Sequence, residues 1–542
     1  MEAKRLCAYR FTSATATCLL IQYLLLTFTV LIVNTNPLTP ITWIFGTFRS
    51  MLRISTLFFL LPIGALTVAN GVMLLLNYLS PKKPGEISKF LRKLTKVAFQ
   101  FVTGLVLTWT FLRFLSEEYG RVLHRTTWEY NLKCVYLLLC GLVTVGHFIS
   151  KRQTDVIEFP VLQQKKYLRI KTDFFTNFWK SLGESIFPSF LCALAVTTFM
   201  GISIWSKNLE KNNIFGLIID YHLYFYTWLL FAYISCSLTM LKDVFEVFFS
   251  DYQQFPIEKP ALIASDAYLT LADGLLYTKI PLIQTLAALD FFVLSQNYNT
   301  ARRQELFSLS SVGGHPHNFR NVNEATLKVL QEFTKSLTEV IETKKVPTPV
   351  IANNNNALPV ITSPVRDEKT EQRDMNKTLG IRNMVYTPIA SPLKPLTAPP
   401  VMPEPKTPQV SLNCNVPSTL RSLFGEDKSK KVTQILANYS EKVTYLSQGI
   451  AAIAVFSLTE DKYGVVQDSL PKIIKTLLEL HQILEKINAM NLVVAKKSNY
   501  SFIKARQAAK RSLYKMVKEF QIYFKDMVLE RTTVEALRSF VV

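Results

Sequence analysis

The sequence predicts an all-α protein: a six-span transmembrane helical region followed by a cytoplasmic α-helical region that a disordered linker interrupts. Three observations carry this. Six stretches stay apolar over about 20 residues, the helix length that crosses the hydrocarbon core of a bilayer. Lys and Arg crowd alternate loops between those stretches. Beyond the last of them, helical patterning breaks off at a proline-rich segment and then resumes. The 542-residue chain is also 49% hydrophobic and 12% aromatic, a combination that soluble domains rarely reach.

The spans are expected at 15–33, 54–78, 97–115, 132–149, 186–205 and 221–240. The first is followed by no small-residue cleavage site and reads as a retained span rather than a signal peptide. Charge sets the orientation. Lys4, Arg5 and Arg10 precede the first span. The second loop carries Lys82, Lys83, Lys89, Arg92, Lys93 and Lys96 against Glu86, and the fourth carries Lys151, Arg152, Lys165, Lys166, Arg169, Lys171 and Lys180. The intervening loops are poorer or balanced, so both termini are expected on the cytoplasmic side, as an even number of spans requires. Trp43, Trp128 and Trp205 sit in or beside the opposite loops, as an interfacial aromatic belt would place them. Those loops are short, and little folded material is expected in them. On the basic side, Ile87, Phe90, Leu91, Leu94 and Val97 follow helical spacing with Lys and Arg opposite, which suits an anionic membrane surface.

The span interiors carry almost no ionisable residues. Arg113 and His147 lie near span ends, and His124 with Glu129 lacks any further catalytic partner. A transporter or channel with a regulatory tail is the alternative reading, and it would need paired ionisable residues or paired helix breaks facing a cavity. Pro62-Ile63-Gly64 is a single break. No enzyme activity, cofactor or metal is expected. The seven cysteines form no CxxC pair, and reduced thiols follow. The net charge of +21 sits largely in membrane-proximal loops and a helical tail, so direct nucleic-acid binding is not expected.

Residues 1–241 thus form the six-span domain and 242–342 a membrane-proximal helical region. Within the latter, "KIPLIQTLAALDFFVLSQ" is too short to span and is interrupted by Asp290, which indicates a buried or membrane-apposed helix. The stretch "ARRQELFSLSSVGGHPHNF", 301–319, reads as a helix ending near Ser308, a turn at Gly313-Gly314, and a rigid connector at His315-Pro316-His317. A new helix is expected near Asn321, with Asn321 and Glu324 spaced as a capping box. Arg302 and Arg303 are suited to capping carbonyls or pairing with acids. The two histidines lack the further ligands that a zinc site requires. Residues 343–430 are a disordered, proline-rich linker by composition. It holds five Ser/Thr-Pro dipeptides, at Thr348, Ser363, Thr387, Ser391 and Thr407, each a candidate phosphorylation site, and a single Phe424-Gly425. In the C-terminal helical domain, 431–542, Ile474, Leu477, Leu478, Leu484 and Ile487 lie at core spacing. Leu513, Met516, Val517, Phe520 and Phe524 form an apolar face opposite a basic one.

"RRQELFSLSSVGGHPHNF" closely resembles the signature of the transmembrane nucleoporins named for the nuclear division cycle. "SLTEDKYGVVQDSLP", 457–471, resembles a second block of the same family, and the layout of the whole chain is similar. The resemblance implies a nuclear-envelope protein that anchors the nuclear pore complex scaffold and supports pore assembly, by binding rather than catalysis. It also implies partners: membrane-binding nucleoporins with an RRM-like domain, an aladin-type WD-repeat nucleoporin, other transmembrane nucleoporins, and the lipid bilayer.

Overall fold

A computed structural model of the chain describes residues 2–35, 38–79, 86–115, 128–151, 157, 159–160, 164–205, 221–258, 268–296, 300–309, 314–342, 428–493 and 496–540. Every regular element among them is helical. The membrane region comprises α1 (Glu2–Val33), α2 (Pro40–Met51), α3 (Ile54–Leu79), α4 (Glu86–Leu115), α5 (Trp128–Lys151), α6 (Lys166–Trp205) and α7 (Tyr221–Phe249). Helices α1, α4, α5, α6 and α7 contain stretches long and apolar enough to cross a membrane. The expected second span is α3, a 26-residue helix that carries Pro62 inside it and whose uninterrupted described apolar part, Leu60–Leu76, is shorter.

Several helices outrun the bilayer. The 40 residues of α6 extend to about 60 Å at 1.5 Å per residue, about twice the hydrocarbon thickness. Of the basic residues expected before the third and fifth spans, Lys89, Arg92, Lys93 and Lys96 therefore lie on α4 and Lys166, Arg169, Lys171 and Lys180 on α6; Lys82, Lys83 and Arg152 lie outside the described residues. Beyond the apolar section, α1, α6 and α7 stay together through charge. Lys166 pairs with Asp251 at 2.8 Å, Arg169 approaches Glu246 at 3.6 Å, and Asn177 donates to Asp243 at 2.6 Å. Buried Arg10 of α1 donates to the carbonyls of Phe249 and Asp251 at 3.2 and 2.9 Å, closing the C-terminal end of α7.

Inside the membrane region, small residues bring helices close. A Cβ on Gly104 of α4 would overlap Val145 of α5, and one on Gly141 of α5 would overlap Thr108 of α4. The two glycines thus make a reciprocal contact. The loop expected between the first two spans holds a helix instead: α2 starts with Pro40, whose fixed φ suits a first helical turn.

The remaining helices are α8 (Leu271–Leu275), α9 (Pro281–Leu294), α10 (Thr300–Phe307), α11 (His317–Glu342), α12 (Lys428–Glu460), α13 (Leu470–Ala489), α14 (Lys496–Phe520) and α15 (Arg531–Arg538). Helix α9 is the apolar segment too short to span, and all of Leu282–Leu294 except Phe292 is buried. It packs against α8 and α12, with α11 and α14 on the other sides of α12. Residues 242–342 and 428–540 therefore share one core. Ile474, Leu477, Leu478, Leu484 and Ile487 are buried on α13, and Leu513, Met516, Val517 and Phe520 on α14. The apolar face of α14 is thus spent on α12 and α13, and its basic face is the surface. Tyr445 of α12 donates to the Phe159 carbonyl at 2.6 Å, and the Ile157 amide donates to the Tyr78 hydroxyl at 2.8 Å. The segment after α5 is thereby held between α3 and α12. The Lys428 ammonium donates to the Ile341 carbonyl at 2.8 Å, joining the start of α12 to the end of α11. By density of contact the chain divides into Met1–Glu342 with Asp427–Val542, and Thr343–Glu426; the second unit lies outside the described residues.

The Gly104 contact makes a direct expectation. Gly104→Leu forces α4 away from α5 and costs about 1–3 kcal/mol. Gly146→Leu, where an added Cβ meets nothing within 4 Å, leaves stability unchanged. Thermal unfolding of the two purified variants checks the difference.

Candidate functional site

Asp290 lies in the middle of α9 with no exposed side-chain surface. A buried carboxylate is costly unless charge and hydrogen bonds surround it, and here four donors do. Arg302 of α10 pairs with it in bidentate fashion, Nη1 to Oδ1 at 2.7 Å and Nη2 to Oδ2 at 2.9 Å. The Tyr252 hydroxyl donates to Oδ1 at 2.5 Å and the Phe255 amide to Oδ2 at 2.9 Å. Arg302 also donates to the Phe255 carbonyl at 2.8 Å. Burial, with Asp290 beside it, pushes the Tyr252 hydroxyl above its usual range, so it stays a neutral donor. Tyr252 and Phe255 follow directly on α7. The cluster therefore fixes the chain where it leaves the membrane region to both α9 and α10.

Arg303, one residue on, faces a different partner. Its side chain is 1% exposed and forks onto Glu460 at the end of α12, Nε to Oε2 at 2.9 Å and Nη2 to Oε1 at 2.8 Å. Its guanidinium lies 4.1 Å from the centre of the Phe456 ring, and it donates to the Gln296 carbonyl. The two motif blocks, 301–319 and 457–471, thus meet in space. In the second block Asp461 accepts from the Tyr463 and Val466 amides at 3.1 and 3.0 Å, and Gly464 takes φ +66°. That residue turns the chain into a short 3-10 segment and α13.

The turn in the first block differs from expectation. Helix α11 begins at His317, not near Asn321. Pro316 sets the first turn, and its carbonyl accepts from the Arg320 amide at 3.2 Å. Asn321 lies inside the helix, and Glu324 pairs with Arg320 at 3.1 Å instead of capping. Gly314 has φ +63°, so its conformation, rather than crowding, favours glycine. Phe307 meets Phe319 with ring centres 6.3 Å apart, and the Asn318 amide approaches the Glu305 carbonyl at 3.5 Å. His315 and His317 are exposed, their rings 5.4 Å apart. Among the described residues no three His, Cys, Asp or Glu side chains group as a metal site. Gly313, His124, Thr348, Ser363, Thr387, Ser391 and Thr407 lie outside the described residues.

Sequence reasoning missed Tyr252 and Glu460, and it treated Asp290 only as an interruption. The missed signal is an acid inside an otherwise continuous apolar run, which needs a buried cation. It also missed Lys442 of α12, buried and donating to Gln284 of α9 at 2.8 Å, with its ammonium 5.0 Å from the Tyr439 ring centre. Burial pulls this lysine down to about 8, against the opposing pull of Glu332 and Glu441.

Two outcomes follow. Arg302→Ala leaves Asp290 buried without its charge partner and costs about 3–5 kcal/mol. Replacing both residues with leucine costs less than that single change, and chemical denaturation of the purified chains distinguishes them. For Lys442 the native value lies below the unfolded value of 10.5. Below about 8 both states hold the proton, and the native state carries the penalty of the buried charge. Between about 8 and 10.5 the native lysine is neutral while the unfolded one remains protonated, so stability rises with pH across that window. Lys442→Met flattens this rise in a thermal-unfolding series over the same pH range.

The sequence was compared with known families and proteins. A model of the family described as nucleoporin protein Ndc1-Nup matches residues 5–538. Nucleoporin Ndc1 of Drosophila melanogaster is 29% identical, over 94% of this chain and 93% of that protein. Nucleoporin NDC1 of Homo sapiens is 23% identical over 66% of this chain and 65% of that protein. Nucleoporin ndc-1 of Caenorhabditis briggsae is 22% identical over 51% and 44% respectively. The family match takes in the membrane helices, the Asp290 cluster and both motif blocks together, and on it the chain belongs to the Ndc1 family of nucleoporins.

Proposed function

We propose that this chain is an integral membrane nucleoporin that anchors the nuclear pore complex scaffold in the nuclear envelope and supports pore assembly. The observation that carries the reading is the family match over 5–538, on a chain whose membrane helices and helical body are joined through a buried charge cluster. An anchor must pass load from protein contacts to lipid. Here the route runs from the body through Asp290 and Arg302 to α7, and from there to α6 and α1 by the Lys166, Arg169 and Arg10 contacts. Partners meet the body, with the exposed His315–His317 turn and the basic face of α14 as available surfaces. RRM-like membrane-binding nucleoporins, an aladin-type WD-repeat nucleoporin and other transmembrane nucleoporins are the partner classes. The role is binding, without catalysis. Both termini face the cytoplasm or the pore.

The linker acts as a cell-cycle switch on those contacts. Proline-directed phosphorylation at Thr348, Ser363, Thr387, Ser391 and Thr407 adds about −1.5 to −2 charge per site. That opposes a chain of net charge +21, and protein contacts release while the spans hold.

The tagged endogenous chain should concentrate at the nuclear rim and label nucleoporins by proximity. A diffuse reticular signal without such labelling overturns the reading. A glycosylation acceptor inserted at residues 120–128 should be modified, and one inserted near Leu94 should not. Alanine at the five Ser/Thr sites should delay partner release at mitotic entry; unchanged timing makes the linker a tether only.

A further inference from the structure

We infer that α2 is a lipid-embedded helix, whose apolar face takes the acyl chains of the leaflet farther from the helical body and whose arginines take the headgroup phosphates. Its position follows from α1. The α1 N-terminal half is tied to Phe249 and Asp251 beside the body by Arg10. The 32 residues of α1 then run about 48 Å, which puts α2 at the opposite membrane surface.

The helix has three distinct sides. Trp43, Thr47 and Met51, spaced four apart, turn toward the protein; Trp43 is half-buried, and Thr47 and Met51 are buried. Thr42, Gly46 and Arg49 form an exposed polar side, and exposed Arg53 follows the helix end. The third side is apolar and uncovered. Ile41, Phe45 and Leu52 are 69, 72 and 70% exposed, and Ile44 and Phe48 are 38 and 47% exposed. At 3.6 residues per turn these five fall within roughly 100° of arc, the width of one apolar face. The uncovered side continues onto α3, where Ile54, Phe58 and Leu61 are also exposed. Helix α3 is the second span expected from the sequence, and its exposed apolar face suits acyl chains and runs on into that of α2.

A short amphipathic helix with bulky apolar residues on one side and arginine on another lies in the plane of the interface, its apolar face sunk to the acyl boundary. Arg49 and Arg53 then stand at headgroup height. The protein thereby carries a wedge in the leaflet away from its helical body, where bulky Phe45 and Phe48 occupy area among the acyl chains.

The full chain in phospholipid vesicles tests this by collision of a nitroxide label with oxygen, which partitions into acyl chains, and with a water-soluble nickel chelate. A label at Phe45→Cys should match one at Phe58→Cys: high oxygen access and low nickel access. A label at Thr42→Cys should show the reverse. Equal nickel access at both positions places the helix off the membrane and overturns the inference. Shielding of the Phe45 position from both reagents means that protein covers this face, a second copy or another chain, and overturns it as well. A measurement on the unlabelled chain covers the case in which cysteine replacement disturbs folding. Protease added on the α2 side should cut Phe45→Ser/Phe48→Ser between residues 34 and 53 at least tenfold faster than the unsubstituted chain; equal rates overturn the inference.

Discussion

One buried negative charge organises the extramembrane half of this protein. Asp290 has no exposed surface, and an apolar helix such as α9 has nothing of its own with which to neutralise it. The neighbours must supply cation and donors together, and they come from separate places: Arg302 from α10, Tyr252 and the Phe255 amide from the segment after α7. Satisfying one carboxylate therefore fixes the relative positions of three segments. Hydrophobic packing alone sets distances loosely; a bidentate guanidinium–carboxylate pair with two further donors also sets angles. That is what a rigid joint between a membrane region and a helical body requires.

The two adjacent arginines extend this joint in opposite senses. Consecutive residues on a helix point about 100° apart, so Arg302 and Arg303 cannot serve the same partner. Arg302 holds the membrane exit, and Arg303 holds the end of α12 through Glu460 and Phe456. The short helix α10 works as a two-sided clamp whose grip depends on register. An insertion of one residue in it would rotate both guanidiniums off their acids at once. Below the joint, α1, α6 and α7 leave the bilayer as one bundle, because Lys166, Arg169 and Arg10 find acids and carbonyls on α7 and directly after it. The basic residues Arg10, Lys166 and Arg169 therefore have structural partners beyond any role in orienting the chain.

Much of the fold was legible because it follows from period and polarity. The span from Thr15, the helix beginning at Tyr221, and the buried positions Ile474, Leu477 and Leu484 are written as apolar runs or as one-sided spacing. Three things were not. Helix α2 sits in what reads as a short loop: its 12 residues give one apolar face without the length of a span, and only its surroundings reveal that the face is bare. The capping-box spacing of Asn321 and Glu324 points to a start of α11 near Asn321; Pro316, with φ already helical, begins the helix earlier. The pairings of Arg302 with Asp290 and Arg303 with Glu460 join residues 12 and 157 apart in sequence. Side-chain type shows that each arginine needs an acid, and only the packing of α9, α10 and α12 shows which.

The bond from Lys428 to the Ile341 carbonyl has a consequence for evolution of the intervening segment. Its two ends leave and re-enter the body at one place, so the body's core does not depend on how long the excursion is. Joining two fixed points through a chain segment becomes only about 0.6 kcal/mol harder with each doubling of the segment's length. Residues can be gained or lost there with almost no change in the free energy of folding.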